Sequence, residues 1–255
     1  MKITTWNVNG IRAVLQKGAL HWVAEKDVDI LCLQEVKAYR EQVAHMDEFM
    51  AGYEGYWNSA ARPGYSGVAI YTRAKPLDVS YGLGDTRFDD EGRVIRMRFP
   101  GFVLYNVYFP NGQRGQERVD YKLDFYACLL EQCDTLHAGG ERVVITGDFN
   151  TSHREIDLAH PKSNTKTSGF LPEERAWIDR YLEHQFCDVY RRLYPDKVEY
   201  TWWTYISNAR VRNIGWRLDY FLVTEAMANQ VTEVVVHADL LGSDHCPVSM
   251  VFDTE

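Results

Sequence analysis

A chain of 255 residues, 45% hydrophobic and 25% charged, has the composition of a globular protein able to bury a large core, and no apolar run in it approaches the length of a transmembrane helix. Its net charge of −8 argues mildly against a polyanionic partner, because phosphate backbones are held largely by Lys and Arg. Cys32, Cys128, Cys133, Cys187 and Cys246 are odd in number and form no C-x-x-C pair, which argues against a disulfide framework and a zinc site and suits a reduced compartment.

Met1 leads straight into a strand-like run, Lys2–Trp6, without a signal-peptide pattern, so an intracellular location is expected: cytoplasmic and nucleoid-associated if the source is prokaryotic. Helical periodicity follows at Ala19–Lys26, and then apolar, β-branched runs predict strands at Ile30–Gln34, Gly67–Thr72, Val94–Phe99 and Phe102–Phe109. A long helix is expected at Glu117–Leu136, a strand at Val143–Gly147, and a helix at Pro172–Leu182, where Pro172, Glu173 and Glu174 suit a helix amino terminus. Strands are expected again at Tyr200–Trp203, Leu218–Val223, Val231–His237 and Pro247–Phe252. With no linker, repeat or low-complexity tract, residues 1–255 read as a single domain. The pattern predicts an α/β fold with two mixed sheets packed face to face and helices outside. The absence of G-x-G-x-x-G and Walker motifs disfavours a doubly wound nucleotide-binding sheet.

Several of these runs end abruptly in polar residues. Trp6 leads to Asn7 and Asn9, Leu33 to Glu35, Val107 to Tyr108 and Asn111, Ile145 to Asp148 and Asn150, Leu218 to Asp219, and Leu241 to Asp244 and His245. Strand ends let a rigid sheet aim functional groups. If these ends converge, they form a pocket of carboxylates and amides around one imidazole.

Oxygen donors without thiols favour a hard cation, Mg²⁺ or Mn²⁺ in its place. Glu35 and Asp244 can supply carboxylate oxygens and Asn7 a neutral one. Asp148 can accept a proton from a water held by Asn150. His245 can donate to a phosphate oxygen, with Asp219 orienting the ring and raising its proton affinity. Tyr108 and Asn111 can orient or stabilise the phosphate. Taken singly, Asp-x-Asn is usually a turn and a Glu after a strand a solvated end; it is their joint, ordered occurrence that carries weight.

The ordered set W-N-V-N-G-I-R-A (Trp6–Ala13), L-Q-E-V-K (Leu33–Lys37), S-G-V-A (Ser66–Ala69), Y-F-P-N-G (Tyr108–Gly112), G-D-F-N-T-S-H (Gly147–His153), S-G-F-L-P-E-E-R (Ser168–Arg175), T-W-W-T-Y (Thr201–Tyr205), N-I-G-W-R-L-D-Y-F (Asn213–Phe221) and G-S-D-H-C-P (Gly242–Pro247) resembles the exonuclease III-type class II AP endonucleases. The resemblance implies the four-layer, DNase I-like α/β sandwich of the endonuclease/exonuclease/phosphatase superfamily: two packed mixed β-sheets flanked by helices. It implies Mg²⁺-dependent incision of double-stranded DNA 5′ to abasic sites, leaving a 3′-hydroxyl, with some 3′-5′ exonuclease and 3′-end-cleaning activity. A monomer without a membrane partner is expected.

Carried over by motif, Glu35 is the metal ligand, with Asn7 and Asp244 nearby. Asp148 and Asn150 handle the nucleophilic water or a second metal, so one or two ions remain open. His245, also placed among the metal-site residues, holds the phosphate with Asp219, and Tyr108 is the catalytic tyrosine. Trp202, Trp216 and Leu218 match the pocket for the extruded, base-less sugar, whereas Trp203 reads as core. Asn9, Asn111, Arg114, Asn164 and Ile206 complete the substrate contacts. Thr167 stands where the family often has an amide, and Ile206 where some relatives have Met. A basic rim is expected from Arg114, Arg118, Arg154, Lys162, Lys166, Arg210, Arg212 and Arg217. The same polar pieces would serve a phosphatase for inositol phosphates or a sphingomyelinase; a catalytically silent DNA-binding module would need neither Asp148 nor Glu35.

Overall fold

Apolar runs that are continuous rather than alternating belong in strands covered on both faces, and that is where they lie. The computed structural model describes residues 1–43 and 45–254, so the single-domain span read over 1–255 includes two residues, 44 and 255, outside the described residues. The described strands are β1 (Lys2–Asn7), β2 (Ile30–Gln34), β3 (Glu54–Asn58), β4 (Val68–Thr72), β5 (Asp78–Tyr81), β6 (Val94–Phe99), β7 (Phe102–Tyr108), β8 (Val143–Asp148), β9 (Phe186–Asp188), β10 (Asp219–Thr224), β11 (Val231–Val236) and β12 (Val248–Phe252). They form two six-stranded sheets, ordered β11-β12-β1-β2-β4-β3 and β5-β6-β7-β8-β10-β9. Each sheet is mixed: β1 runs parallel to β2 and β7 parallel to β8, while the other neighbours are antiparallel.

Alternate side chains on one strand enter different cores. Ile30 and Cys32 of β2 and Val68 and Ile70 of β4 face Ile95, Leu104, Val144 and Phe221 between the sheets. Leu31, Leu33, Ala69 and Tyr71 point the other way, toward Ile11, Val14 and Val23 of the outer helical segments. On the second sheet, Val103, Tyr105, Ile145 and Leu222 meet Phe125, Leu129 and Ile178. The last three come from the helices Gln116–Ala138 and Pro172–Glu183. The order is helices, sheet, sheet, helices: the expected four-layer sandwich.

One polar bridge crosses the central core. Gln34 Nε2 donates to Asn106 Oδ1 at 2.7 Å, and Asn106 Nδ2 donates to the carbonyls of Leu33 and Ala69 at 3.1 and 2.9 Å. Both side chains are fully buried, where an unpaired amide would be costly. The bridge therefore helps fix how the sheets face each other close to the ends of β2 and β7.

Some expectations differ from the structure. Strands β3, β5 and β9 were not anticipated; they are short edge strands, and β3 and β5 are only half-buried, so no continuous apolar run marks them. Tyr200–Trp203 forms no sheet strand: Trp202 makes isolated bridges to Trp216 and His245. Its aromatics imitate a strand, but it is a crossing segment that packs beside the site. The helix expected over Ala19–Lys26 contracts to Trp22–Glu25, and a helix at Ile11–Gln16 precedes it. All five cysteines are free, Cys128 being half-buried and the others buried. Among the described residues no helix is long and apolar enough to cross a membrane.

Candidate active site

Strand direction gathers the polar termini. The parallel pairing of β1 with β2 sets Asn7 opposite Gln34, with Glu35 next in chain. The parallel pairing of β7 with β8 sets Tyr108 opposite Asp148, and antiparallel β10 begins with Asp219 opposite Asp148. Gly147 permits this register: a Cβ there would lie 1.9 Å from the Val107 carbonyl oxygen. His245 lies just ahead of β12, at the same end.

The chain turns sharply on leaving these strands. Asn9 (φ 43), Glu35 (φ 56) and Asn150 (φ 50) adopt left-handed backbone. Asn tolerates this region, whereas Glu rarely enters it. Hydrogen bonds hold the turn: Gly10 N–H donates to the Glu35 carbonyl at 2.8 Å, and Val36 N–H to the Gly67 carbonyl at 3.0 Å. Strain of this kind persists where surrounding structure over-determines it, often at functional sites.

Asp148 is the hub. Its Oδ2 accepts from Asn7 Nδ2 at 2.8 Å and from Asn150 Nδ2 at 3.3 Å, and its Oδ1 accepts from the Asn150 backbone N–H at 2.8 Å. Burial raises its carboxyl to about 7; His245 restrains that rise and Asp219 adds to it. Asn150 also donates to the Phe109 carbonyl at 2.9 Å and accepts from Asn111 Nδ2 at 3.2 Å.

His245 Nδ1 lies 2.8 Å from Asp219 Oδ2, and Nε2 lies 3.7 Å from Asp148 Oδ2. Burial disfavours the imidazolium, but the carboxylates of Asp219 and Asp148 outweigh it and raise the ring to about 10. Burial also works against the Asp244 carboxylate, yet His245 and the donors of Asn9 and Trp202 hold it below its ordinary range. Those donors are Asn9 Nδ2, 3.0 Å from Asp244 Oδ1, and Trp202 Nε1, 3.1 Å from Asp244 Oδ2. Burial, with Glu35 adding to it, keeps the Tyr108 phenol protonated well above its ordinary range, and Arg93 packs 4.6 Å over the ring.

One cavity of about 520 Å³ is lined by Asn9, Glu35, Tyr108, Asn111, Asp148, Asn150, Asn164, Trp202, Trp216, Leu218, Asp244 and His245. Asn7 and Asp219 lie buried beneath it, joined to these residues by the hydrogen bonds above. Trp202 and Trp216 meet edge to face, with ring centroids 6.4 Å apart, and Phe170 backs Trp216 in the same manner. Trp203 is core, as read from sequence: it is buried, with Arg210 stacked over its ring. Arg114 is exposed and lines an adjoining groove of about 480 Å³ that shares Glu35, Tyr108 and Asn111. Ile206 lies outside both cavities and is 73% exposed.

Two expected roles change with geometry. Asn7 Oδ1 accepts the Asn9 backbone N–H at 2.9 Å, so its nitrogen, rather than its oxygen, faces Glu35 and Asp148. It acts here as a donor between two carboxylates. Arg217 is no part of a basic rim: it is buried and donates to Asp157 at 2.8 Å and Asp188 at 2.7 Å. Arg210 is turned inward too, donating to the carbonyls of Ala238, Leu240 and Ser243. Arg118 is paired with Glu91 at 2.7 Å. Arg114, Arg154, Lys162, Lys166 and Arg212 are exposed.

The sequence reading passed over Lys37, which lies 2.8 Å from Glu35 Oε1 and donates to Asn9 Oδ1 at 2.5 Å. Its place two residues after Glu35, at a strand end, was the available signal. It also passed over His160, which lines the cavity from left-handed backbone.

The donor set suits a hard divalent cation. Asp148, Asp219 and His245 present ligand atoms all within 4.8 Å of one another, and Asp219 Oδ1 is buried without a hydrogen-bond partner. Glu35 and Asp244 line the same cavity, and no thiol does.

Residues 4–245 match the model of the Endonuclease/Exonuclease/phosphatase family. An exodeoxyribonuclease of Bacillus subtilis is 44% identical over 255 residues, covering 99% of this chain and all of that one. Among solved structures, an AP endonuclease from Archaeoglobus fulgidus superposes with a TM-score of 0.91 at 32% identity, over the whole of both chains. A 3′ phosphatase from Neisseria, bound to a product DNA hairpin, superposes with a TM-score of 0.92, also at 32% identity over the whole of both chains.

Proposed function

The chain belongs to the endonuclease/exonuclease/phosphatase family, among its exonuclease III-type AP endonucleases, and from that premise we propose that it incises double-stranded DNA 5′ to abasic sites in a Mg²⁺-dependent reaction. The product is a 3′-hydroxyl, and 3′-5′ exonuclease and 3′-end-cleaning activities accompany the incision. The observation that carries this reading is a shared cavity: the hydrolytic groups Asp148, Asn150 and His245 open into the same space as the apolar wall of Trp202, Trp216 and Leu218. An enzyme acting on exposed phosphate esters alone has no need of that wall.

In this reading Asp148, held near neutrality by burial, takes the proton from the attacking water while Asn150 positions that water. The His245 imidazolium donates from Nε2 to a non-bridging phosphate oxygen, and Asp219 holds the ring from the other side. Tyr108 remains a neutral donor at the phosphate, joined there by Asn111. Glu35 and Asp244, which line the cavity, would hold the cation, which when bound would neutralise charge on the phosphate and leaving oxygen. Trp216, Trp202 and Leu218 admit a base-less sugar and collide with an intact nucleotide. An abasic sugar also has less pairing and stacking to lose on extrusion. The protein is read as an intracellular monomer, which its free thiols suit.

The test is purified protein on end-labelled duplexes carrying an abasic site, a recessed end or a 3′-phosphate, each with and without Mg²⁺. Incision of the abasic duplex that depends on Mg²⁺ is expected. Release of phosphate from inositol phosphates with no incision of DNA would overturn the reading in favour of a phosphatase.

A further inference from the structure

Lys122 occupies an improbable place for a lysine. It lies on the buried face of the helix Gln116–Ala138, together with Val119, Phe125, Tyr126 and Leu129, and is 0% exposed. Its partner Glu174, in the first turn of the helix Pro172–Glu183, is also 0% exposed. A buried ion pair rarely improves on an apolar pair of the same volume for stability alone. What these two charges hold is therefore the informative question.

Lys122 Nζ donates to Glu174 Oε1 at 2.8 Å and to the backbone carbonyl of Asn150 at 2.7 Å. Asn150 is the residue whose left-handed backbone swings its amide toward Asp148. Glu174 in turn gathers the segment that backs the aromatic wall. Its Oε1 accepts from Ser168 Oγ at 2.8 Å, and its Oε2 accepts from the backbone N–H groups of Gly169 and Leu171. Gly169 is wedged between the two halves of the site: a Cβ there would lie 3.2 Å from the Asn150 carbonyl and 3.2 Å from the Trp216 ring. One continuous path thus runs from Asn150 through Lys122 and Glu174 to Gly169 and Trp216.

We propose that Lys122 and Glu174 are positioning residues that lock the hydrolytic Asn150 and the Trp216 wall at one fixed separation, coupling turnover to lesion selectivity. The proposal rests on the abasic-site reading given above. Neither side chain touches substrate. Lys122 acts by fixing a backbone carbonyl, and Glu174 by fixing a loop. Displacement of a positioned group by about 1 Å can cost roughly 10²-fold in rate, so a small relaxation of this link is enough to be read in kinetics.

The test uses the double variant Lys122→Met/Glu174→Gln, which removes both buried charges at similar volume and leaves no charge stranded. Steady-state incision of an abasic duplex, cleavage of the undamaged duplex, and the melting temperature are measured on one preparation. The expected result is a folded protein with KM for DNA near that of wild type, kcat lowered roughly 10–100-fold, and a reduced ratio of abasic to undamaged cleavage. Lys122→Arg, which keeps a charge and the donors, should recover most of the lost kcat. A folded double variant with unchanged kcat and unchanged ratio overturns the proposal, as does a fall in both cleavage rates in step with a lowered melting temperature. Should the double variant not fold, Lys122→Gln/Glu174→Gln, which also strands no charge, is judged by the same readouts. Wild-type protein run alongside separates the two readings. If it fails to incise abasic DNA, the functional reading fails, and the pair is then judged by kcat on bis-p-nitrophenyl phosphate.

Discussion

The ring nitrogen Nδ1 of His245 lies 2.8 Å from Oδ2 of Asp219, and the two residues come from different strands' ends, 26 positions apart in the chain. This contact and the nearby Asp148 keep the imidazole charged to about 10 despite its burial. The sign follows directly: activity that needs the imidazolium is retained below that value and lost as pH rises through it. Asp219→Asn removes the largest favourable influence, so the alkaline limb should move down toward the ordinary histidine range. The pH profile of kcat, paired with NMR titration of the ring, checks this. An alkaline limb that stays where it is in the variant would dismiss the imidazolium role.

Removal of divalent metal should abolish cleavage. Glu35→Ala should leave the fold intact and raise the Mg²⁺ concentration needed for half-maximal activity, because it deletes a carboxylate that lines the cavity. A Mg²⁺ titration of both proteins reads the shift. Full activity after exhaustive treatment with EDTA would eliminate the metal from the scheme.

Trp216→Ala should lower the ratio of abasic to undamaged cleavage while metal dependence is unchanged. The ring lines the cavity and packs edge to face with both Trp202 and Phe170, so it shapes the space offered to an extruded sugar. Both cleavage rates and the melting temperature are taken on one preparation. A lowered melting temperature with an unaltered ratio would reduce Trp216 to a packing role.

DNA affinity should fall steeply with salt, and Arg114→Ala should make that dependence shallower by about one phosphate contact. Arg114 is exposed beside the groove that continues from Glu35 and Tyr108. Arg210→Ala is expected to act differently. Its guanidinium holds three carbonyls of the loop leading to Asp244, so its loss should weaken metal binding more than the salt slope. Affinity independent of salt would rule out a phosphate-binding rim.

The Arg217 network sets an acid limit on stability. Burial alone would raise the Asp157 carboxyl, but Arg217 outweighs it and holds it well below its ordinary 3.8. A depressed carboxyl contributes stability that is present above its unfolded value and lost as pH falls below it. Arg217→Met takes from Asp157 and Asp188 the guanidinium they share and leaves Arg191 as the remaining ion-pair partner of Asp157. Breaking a buried pair in this way costs on the order of 3–5 kcal/mol. Denaturant unfolding at pH 7 and pH 2 measures both effects; a variant as stable as wild type at pH 7 would show the network to be dispensable.

The ordered motifs, the central strands and the polar residues that end them were all legible in the sequence, whereas the meeting of those ends is a property of the fold. The legible features are local: a strand covered on both faces must be apolar throughout, and the residue that ends it sits next to it in the chain. Edge strands such as Glu54–Asn58 escaped because half-covered backbone pairing demands no apolar run. Tertiary structure alone decided which charges face inward. Arg217 and Arg114 are the same residue type in the sequence, yet one meets Asp157 and Asp188 in the interior and the other meets solvent. Likewise nothing in its local sequence marks Lys122, and only the folded chain brings Glu174, 52 positions away, and the Asn150 carbonyl against it. The free energy of a buried charge depends on partners remote in sequence, and only the packed fold brings those partners together.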